Sequence, residues 1–296
     1  MAKKNGKQTT EAATKQITKV LFMGCVFYIG QTAKFDRDFE TARAILEKDP
    51  EDITKPERIR LLKIYRPGKH ETGKIEGVTS YDSSATNCHF CQLARHAAEN
   101  NPLHICGMCY DKAQEESYKG LNLINRHSLN MLIMSTLRYT EAELMVIDCT
   151  KINRVNSSGD CPNQIYAENM MNLARVNNGM KFAFWAKHVK PVIDACDAVG
   201  KPENMTLVQS SCIIGQRVKL ARYFDYTFTV YPTAEAVAEA VAAGAGECNG
   251  KKCMACGYKC YLNGWKQGQD VAELLRVNKT RRAEIVAAIA AKKARA

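Results

Sequence analysis

Eight of the thirteen cysteines fall into two tight groups. Cys88-His-Phe-Cys91 and Cys106-Gly-Met-Cys109 are two C-x2-C pairs separated by fourteen residues. In such a pair the backbone curls so that both thiolates converge on one ion, and two pairs supply four soft ligands. This spacing suits a structural zinc site and an iron–sulfur cluster alike. The second group, Cys248, Cys253, Cys256 and Cys260, has the spacing C-x4-C-x2-C-x3-C. Its first part matches plant-type ferredoxins, and a compact loop of this kind suits a cubane that needs several ligands from one turn. Gly250 and Gly257 give the backbone freedom to wrap such a centre. We expect one or two iron–sulfur clusters of the 4Fe-4S type, with zinc as the alternative.

The remaining cysteines are read as packing residues. Cys25, Cys149 and Cys196 lie in apolar or helical surroundings, where free cysteine is commonly buried. Cys161 and Cys212 each follow a strand end and are also assigned to core or loop packing. His89, His96 and His104 are read as solvated neighbours of cysteine sets that are already complete. Asp160 and Lys187 are the candidates for catalytic work, each at the end of an apolar strand. For Asp160 the competing reading is a helix cap, and for Lys187 a surface cation. Gln209 and Ser210, at another strand end, are the candidates for cofactor binding.

These residues need a scaffold. Short apolar runs at 130–135, 151–156, 181–186, 204–209 and 226–231 read as strands. Helical patterns at 163–177 and 189–199 lie between successive strands from the second to the fourth. Strand–helix–strand repeats imply an α/β fold with a parallel sheet, open or curled into a partial (β/α) barrel, carrying cysteine-rich metal-binding loops. Polar residues follow the apolar part of each strand, the edge at which parallel α/β folds place their sites. Before the sheet, Val20 to Ile29 is apolar and reads as a strand or a helix start. Residues 36–46 and 56–65 are helix-like, and 66–87 reads as a connecting loop. The organisation is then a disordered basic arm at 1–17, an N-terminal helical region at 18–80, a metal-binding α/β core at 81–265 and a basic C-terminal helix at 266–296.

A chain of 296 residues that is 46% hydrophobic and 25% charged has the composition of an ordinary globular protein. No apolar run is long enough to span a bilayer, and the first residues are polar where a signal peptide would be apolar. We therefore expect a cytoplasmic protein with no membrane partner. In that reducing compartment cysteines coordinate metal or do redox chemistry in preference to forming disulfides. Much of the net charge of +11 sits near the two ends, which leaves nonspecific nucleic-acid binding open through basic tails.

The order of motifs resembles the phage gene product 88 family. The resemblance rests on Thr86 to Asp111 with its Cys109-Tyr110, on Arg154-Val-Asn-Ser-Ser-Gly-Asp160 and the following helix with Tyr166, and on Phe182-Ala-Phe-Trp-Ala-Lys187. Leu207-Val-Gln-Ser-Ser211 and the closing Cys-x2-Cys-x3-Cys-Tyr261 complete it. It covers about residues 80–265 and implies an origin in phages and mobile elements, in a family without a settled biochemical activity. This chain has Cys161 where that family usually places an aromatic residue, and it adds the Cys88–Cys91 knuckle. The layout is also similar to that of radical S-adenosylmethionine enzymes, although those use a C-x3-C-x2-C loop that is not found here.

Two functions are carried forward. One is an iron–sulfur redox or radical enzyme acting on a small molecule or nucleotide, with S-adenosylmethionine as a candidate cofactor. The other is a zinc-stabilised nucleic-acid-binding module without catalytic activity.

Overall fold

The computed structural model describes residues 17–294 apart from 72, 118, 119, 249 and 251, so the expected basic arm lies outside the described residues except for Ile17. The apolar run at 20–29 divides into two antiparallel strands, β1 (Thr18–Phe22) and β2 (Cys25–Ile29). Met23 and Gly24 make the two-residue turn between them, both at positive φ, as a tight hairpin requires. Helices α1 (Ala33–Leu46) and α2 (Lys55–Ile64) follow. Thr32 caps the first through Phe35 N, and Thr54 with Glu57 forms a capping box on the second, where Pro56 occupies the first turn.

The stretch 66–87 contains two short strands, β3 (Gly68–Lys69) and β4 (Thr79–Tyr81), where composition had suggested only a connector. Next come α3 (His89–Glu99), α4 (Tyr110–Glu115) and α5 (Leu121–Thr136). The run 130–135, expected as a strand, lies inside α5. Every residue from His127 to Met134 is buried, so this helix has no polar face there to reveal its period.

Beyond α6 (Glu141–Leu144) the expected alternation holds. The elements are β5 (Ile152–Val155), α7 (Gln164–Val176), β6 (Lys181–Ala186), α8 (Val189–Val199), β7 (Met205–Ser210) and β8 (Tyr226–Tyr231). Helix α9 (Ala234–Ala242), β9 (Gly246–Cys248), β10 (Asp270–Leu274) and α10 (Lys279–Lys293) close the fold; the stretch 266–296, read as one basic helix, thus begins with a strand of the main sheet and is helical only in its second part.

Among the described residues the main sheet has eight strands in the order β3-β4-β5-β6-β7-β8-β10-β9. All neighbours are parallel except β3 with β4, and the two outer strands are not paired to each other, so the sheet is open. Side chains alternate between its faces. Phe182, Phe184 and Ala186 of β6 enter a large core shared with α5, α7 and α8, whereas Ala183 and Trp185 enter a second core with Tyr226, Tyr261 and Val271. Each fully buried phenylalanine contributes about 1.5–3 kcal/mol. One face of the sheet is thus covered by helices, and the other is covered by the loop that carries the second cysteine group.

Candidate metal and ligand site

The carboxyl ends of β4, β5 and β6 are locked together by two buried carboxylates. Asp82, just after β4, accepts from Ser157 N at 2.8 Å, Ser157 Oγ at 2.6 Å and Ser158 N at 2.9 Å. Asp160 accepts from Cys161 N at 2.8 Å, from Lys187 N at 3.0 Å and from His188 N at 3.2 Å. Both oxygens of Asp160 are therefore engaged by backbone amides, and the residue acts by positioning the end of β6. Between these anchors Gly159 has φ of +72°, and a Cβ there would lie 2.2 Å from Ser83 Oγ and 2.4 Å from the Ser83 carbonyl oxygen. Only glycine fits this crossing of two loops.

Above the strand ends lies a cavity of about 230 Å³. Arg154, Trp185 and Phe228 form its floor on the second face of the sheet, and Ser210 and Lys187 stand at the strand ends beside it. The Arg154 guanidinium lies 4.1 Å from the centre of the Trp185 ring, and its Nε is buried without a hydrogen-bond partner. Among the described residues neither Arg154 nor Lys187 forms an ion pair. Burial opposes the charge on Lys187, but Asp160 and the thiols of Cys106, Cys212 and Cys91 outweigh it and hold the ammonium above its ordinary range. Asp111, at the start of α4, also faces the cavity; burial, reinforced by Asp82, pushes its carboxyl up to about 6. Gln209 does not line this cavity. Its Oε1 accepts from Ala221 N at 2.7 Å and fixes the loop before β8.

The second cysteine group forms one wall of the same cavity: Cys248, Cys253, Cys256 and Cys260 all line it. Cys248 ends β9, and Gly257, in the left-handed conformation with φ of +66°, turns the chain between Cys256 and Cys260. Cys260 lies within electrostatic reach of the other three thiols, and burial pushes it up to about 12 while the indole of Trp265, donating to its Sγ at 3.3 Å, acts the other way. Arg154 and Lys74 oppose the burial of Cys253 in the same manner. Four thiols, an N–H donor to one sulfur and two nearby cations are of the types that thiolate metal centres use, although no three of these side chains stand close enough to hold an ion as placed.

The first group is arranged in another way. Cys88 begins α3 and is fully buried in the main core, with its thiol beside that of Cys91. Cys106 faces Cys212, a residue assigned above to packing, and Cys109 lies near Cys106. Among the described residues no three of His, Cys, Asp and Glu are gathered closely enough to hold a metal ion as the side chains stand. All thirteen cysteines are free thiols. The segment that carries the first group nonetheless reaches the cavity, through Ile105 and Asp111.

A buried polar chain supports both loops. His127 Nδ1 lies 2.8 Å from Glu115 Oε1, and its Nε2 lies 3.8 Å from Asp82 Oδ2. Glu115 also accepts from Ser84 Oγ and from the amides of Ala85 and Thr86, which fixes the turn that leads into Cys88. The sequence signal for this cluster was weak, because His127 sits on a helix otherwise dominated by apolar residues. Arg154 had a clearer one: it is a charge at a position where strand alternation requires a residue facing the same side as Ile152.

These features define an α/β protein whose open, mostly parallel sheet carries a cysteine-walled cavity at its carboxyl edge. A family model described as Gene product 88 matches residues 40–285, and the chain belongs to that family. The match begins well before the motifs at residue 80, within α1, and takes in all of α2. No curated protein and no solved structure matches the chain, and nothing in these comparisons supports the likeness in layout to radical S-adenosylmethionine enzymes. No helix among the described residues is long and apolar enough to cross a membrane.

Proposed function

We propose that this protein binds an iron–sulfur cluster through Cys248, Cys253, Cys256 and Cys260 and uses it in redox chemistry on a small anionic molecule or nucleotide held in the adjoining cavity. The observation that carries the reading is that these four thiols line the same cavity as Arg154, Lys187 and Ser210. A bound cluster supplies one-electron transfer. The chain's own residues do the rest. Arg154, seated over the Trp185 ring, and Lys187, neither in an ion pair among the described residues, present positive charge to an anionic ligand, and Ser210 offers a hydroxyl beside them. Trp185 and Phe228 offer apolar surface for stacking and exclude water from that side. Asp111, with its carboxyl raised toward neutrality, is placed to hold a proton at the opposite edge.

The test is the iron, zinc and acid-labile sulfide content of anaerobically purified protein, read with its visible absorption. Iron with matching sulfide and a broad absorption in the blue supports the proposal. Zinc without sulfide overturns it and leaves a structural metal protein.

A further inference from the structure

We infer that the ligand of the cavity is a small organic acid whose planar carboxylate sits on the guanidinium of Arg154, with the Tyr261 hydroxyl as a further donor. The inference rests on reading the cavity as the seat of an anionic molecule and goes beyond it by naming the anchor and the kind of acid. It requires no metal.

The strand sets the anchor. Arg154 lies on the second face of the sheet, where its cross-strand neighbours, Ser80 of β4 and Ala183 of β6, are both small. The long side chain therefore has room to bring its guanidinium to 4.1 Å from the centre of the Trp185 ring. Attraction to the ring holds the cation in place and uses none of its N–H donors. Its Nε is buried without a partner, and no carboxylate pairs with the group among the described residues. Tyr261 packs on the same indole with ring centres 5.4 Å apart, and its hydroxyl, also lining the cavity, is likewise buried without a partner. Asp82, which acts on Arg154 electrostatically, is already engaged by Ser80, Ser157 and Ser158. Lys187 differs, because Asp160 and three thiols support its charge. A buried guanidinium with unmet donors is costly in an empty cavity and is accounted for by a bound anion.

Size and charge select the anion. The cavity, about 230 Å³, is smaller than the roughly 300–1,000 Å³ of pockets that enclose drug-sized ligands, so it suits a short acid better than a whole nucleotide. Asp111, Glu247 and Glu273 line it as well, and of these only Glu273 is paired, with Lys74. A phosphate ester carrying about −1.5 to −2 would meet these carboxylates at close range, whereas a carboxylate carries less charge and matches the flat guanidinium fork with both oxygens.

The experiment follows the thermal midpoint of the full-length protein, purified without oxygen, as acetate, succinate, inorganic phosphate or adenosine monophosphate is added, and takes dissociation constants from the concentration dependence. Acetate and succinate are expected to raise the midpoint, and phosphate and the nucleotide are not. Arg154→Met is expected to fold, since an apolar residue replaces an unpaired buried cation, and to bind the acids at least about thirtyfold more weakly. Arg154→Lys, which keeps the charge and loses the fork, should fall between the two. Tyr261→Phe should bind about two- to tenfold more weakly. Stabilisation by phosphate or the nucleotide without the carboxylic acids overturns the acid assignment and leaves the anionic ligand standing. Equal affinity for the acids in Arg154→Met and wild type overturns the anchor. A wild type stabilised by none of the four overturns both this inference and the reading of the cavity as an anion site, whatever its metal content.

Discussion

His127 Nδ1 lies 2.8 Å from Glu115 Oε1, with the histidine side chain 2% exposed and the glutamate 0%. Burial works against a charge on Glu115, yet the His127 ring and the Thr86 amide hold its carboxyl below the usual glutamate range. Asp82 follows the same pattern on the other side of the ring: burial opposes its charge, while His127, Ser157, Ser80 and Ser158 keep it low. A carboxylate whose pKa is depressed on folding contributes stability that is present above its unfolded pKa and is lost as pH falls through the folded one. The protein is therefore expected to lose stability progressively below about pH 4.5, the unfolded glutamate range. Glu115→Gln removes an acceptor from the buried ring and amides around it and is expected to cost about 1–3 kcal/mol at pH 7. Its deficit against the wild type should narrow as pH falls below that range. Urea unfolding at several pH values checks this, and a deficit that does not change with pH would contradict it.

Asp160 and Lys187 are adjacent in space but should respond in opposite ways. Asp160→Ala leaves the amides of Cys161, Lys187 and His188 buried without an acceptor, and each orphaned donor costs about 1–3 kcal/mol. Lys187→Met removes a cation that forms no ion pair among the described residues, so its unfolding midpoint should change far less. Denaturation curves of the two variants decide the matter, and an equal loss in both would refute the division between a positioning carboxylate and an available cation.

Gly159→Ala is expected to be severely destabilising. The left-handed φ alone costs an alanine about 1–2 kcal/mol, and the overlap with Ser83 adds to it because the nearest atoms include backbone. Ser83→Gly in the same chain removes the hydroxyl but leaves the carbonyl, so it should restore only part of the loss. Thermal midpoints of the single and double variants measure both effects.

Trp265→Phe keeps the ring and removes the indole N–H that donates to Cys260 Sγ. Donors of this kind beside a metal ligand typically change metal affinity 10–100-fold. The variant is expected to release metal to a chelator at least about tenfold faster than the wild type while its far-ultraviolet circular dichroism stays unchanged. Equal release rates would remove this hydrogen bond from the account of the site.

Much of the scaffold was legible because its strands and helices carry their periods openly. Helix α8 was expected at 189–199 and spans those residues, and β6 was bounded correctly because Lys181 and Lys187 flank five apolar residues. The strands β4, β9 and β10 escaped notice for a shared reason. They are short, and β4 and β9 carry few apolar residues; what makes them strands is a neighbour supplied by a distant part of the chain, such as β5 for β4 and β8 for β10. The site divides along the same line. Lys187 and Ser210 could be placed beside one cavity because polar residues at the ends of parallel strands gather in space, whereas the approach of Cys106 to Cys212 depends on a β-bridge between remote loops that no local spacing encodes.

The small hairpin at the start of the described chain holds a further consequence. Asn87 accepts from Val26 N at 3.2 Å and donates to the Val26 carbonyl at 3.1 Å, and Asn125 does the same for Tyr28 at 2.8 and 2.7 Å. Two side-chain amides thereby occupy the outward-facing backbone groups of β2 as an adjacent strand would. An exposed strand edge is the usual point at which one chain recruits another into a growing sheet. Here the edge of β2 is closed from within the same molecule, so this strand, whose Phe27 packs with Phe22 against Phe39, offers no template for another chain on that side.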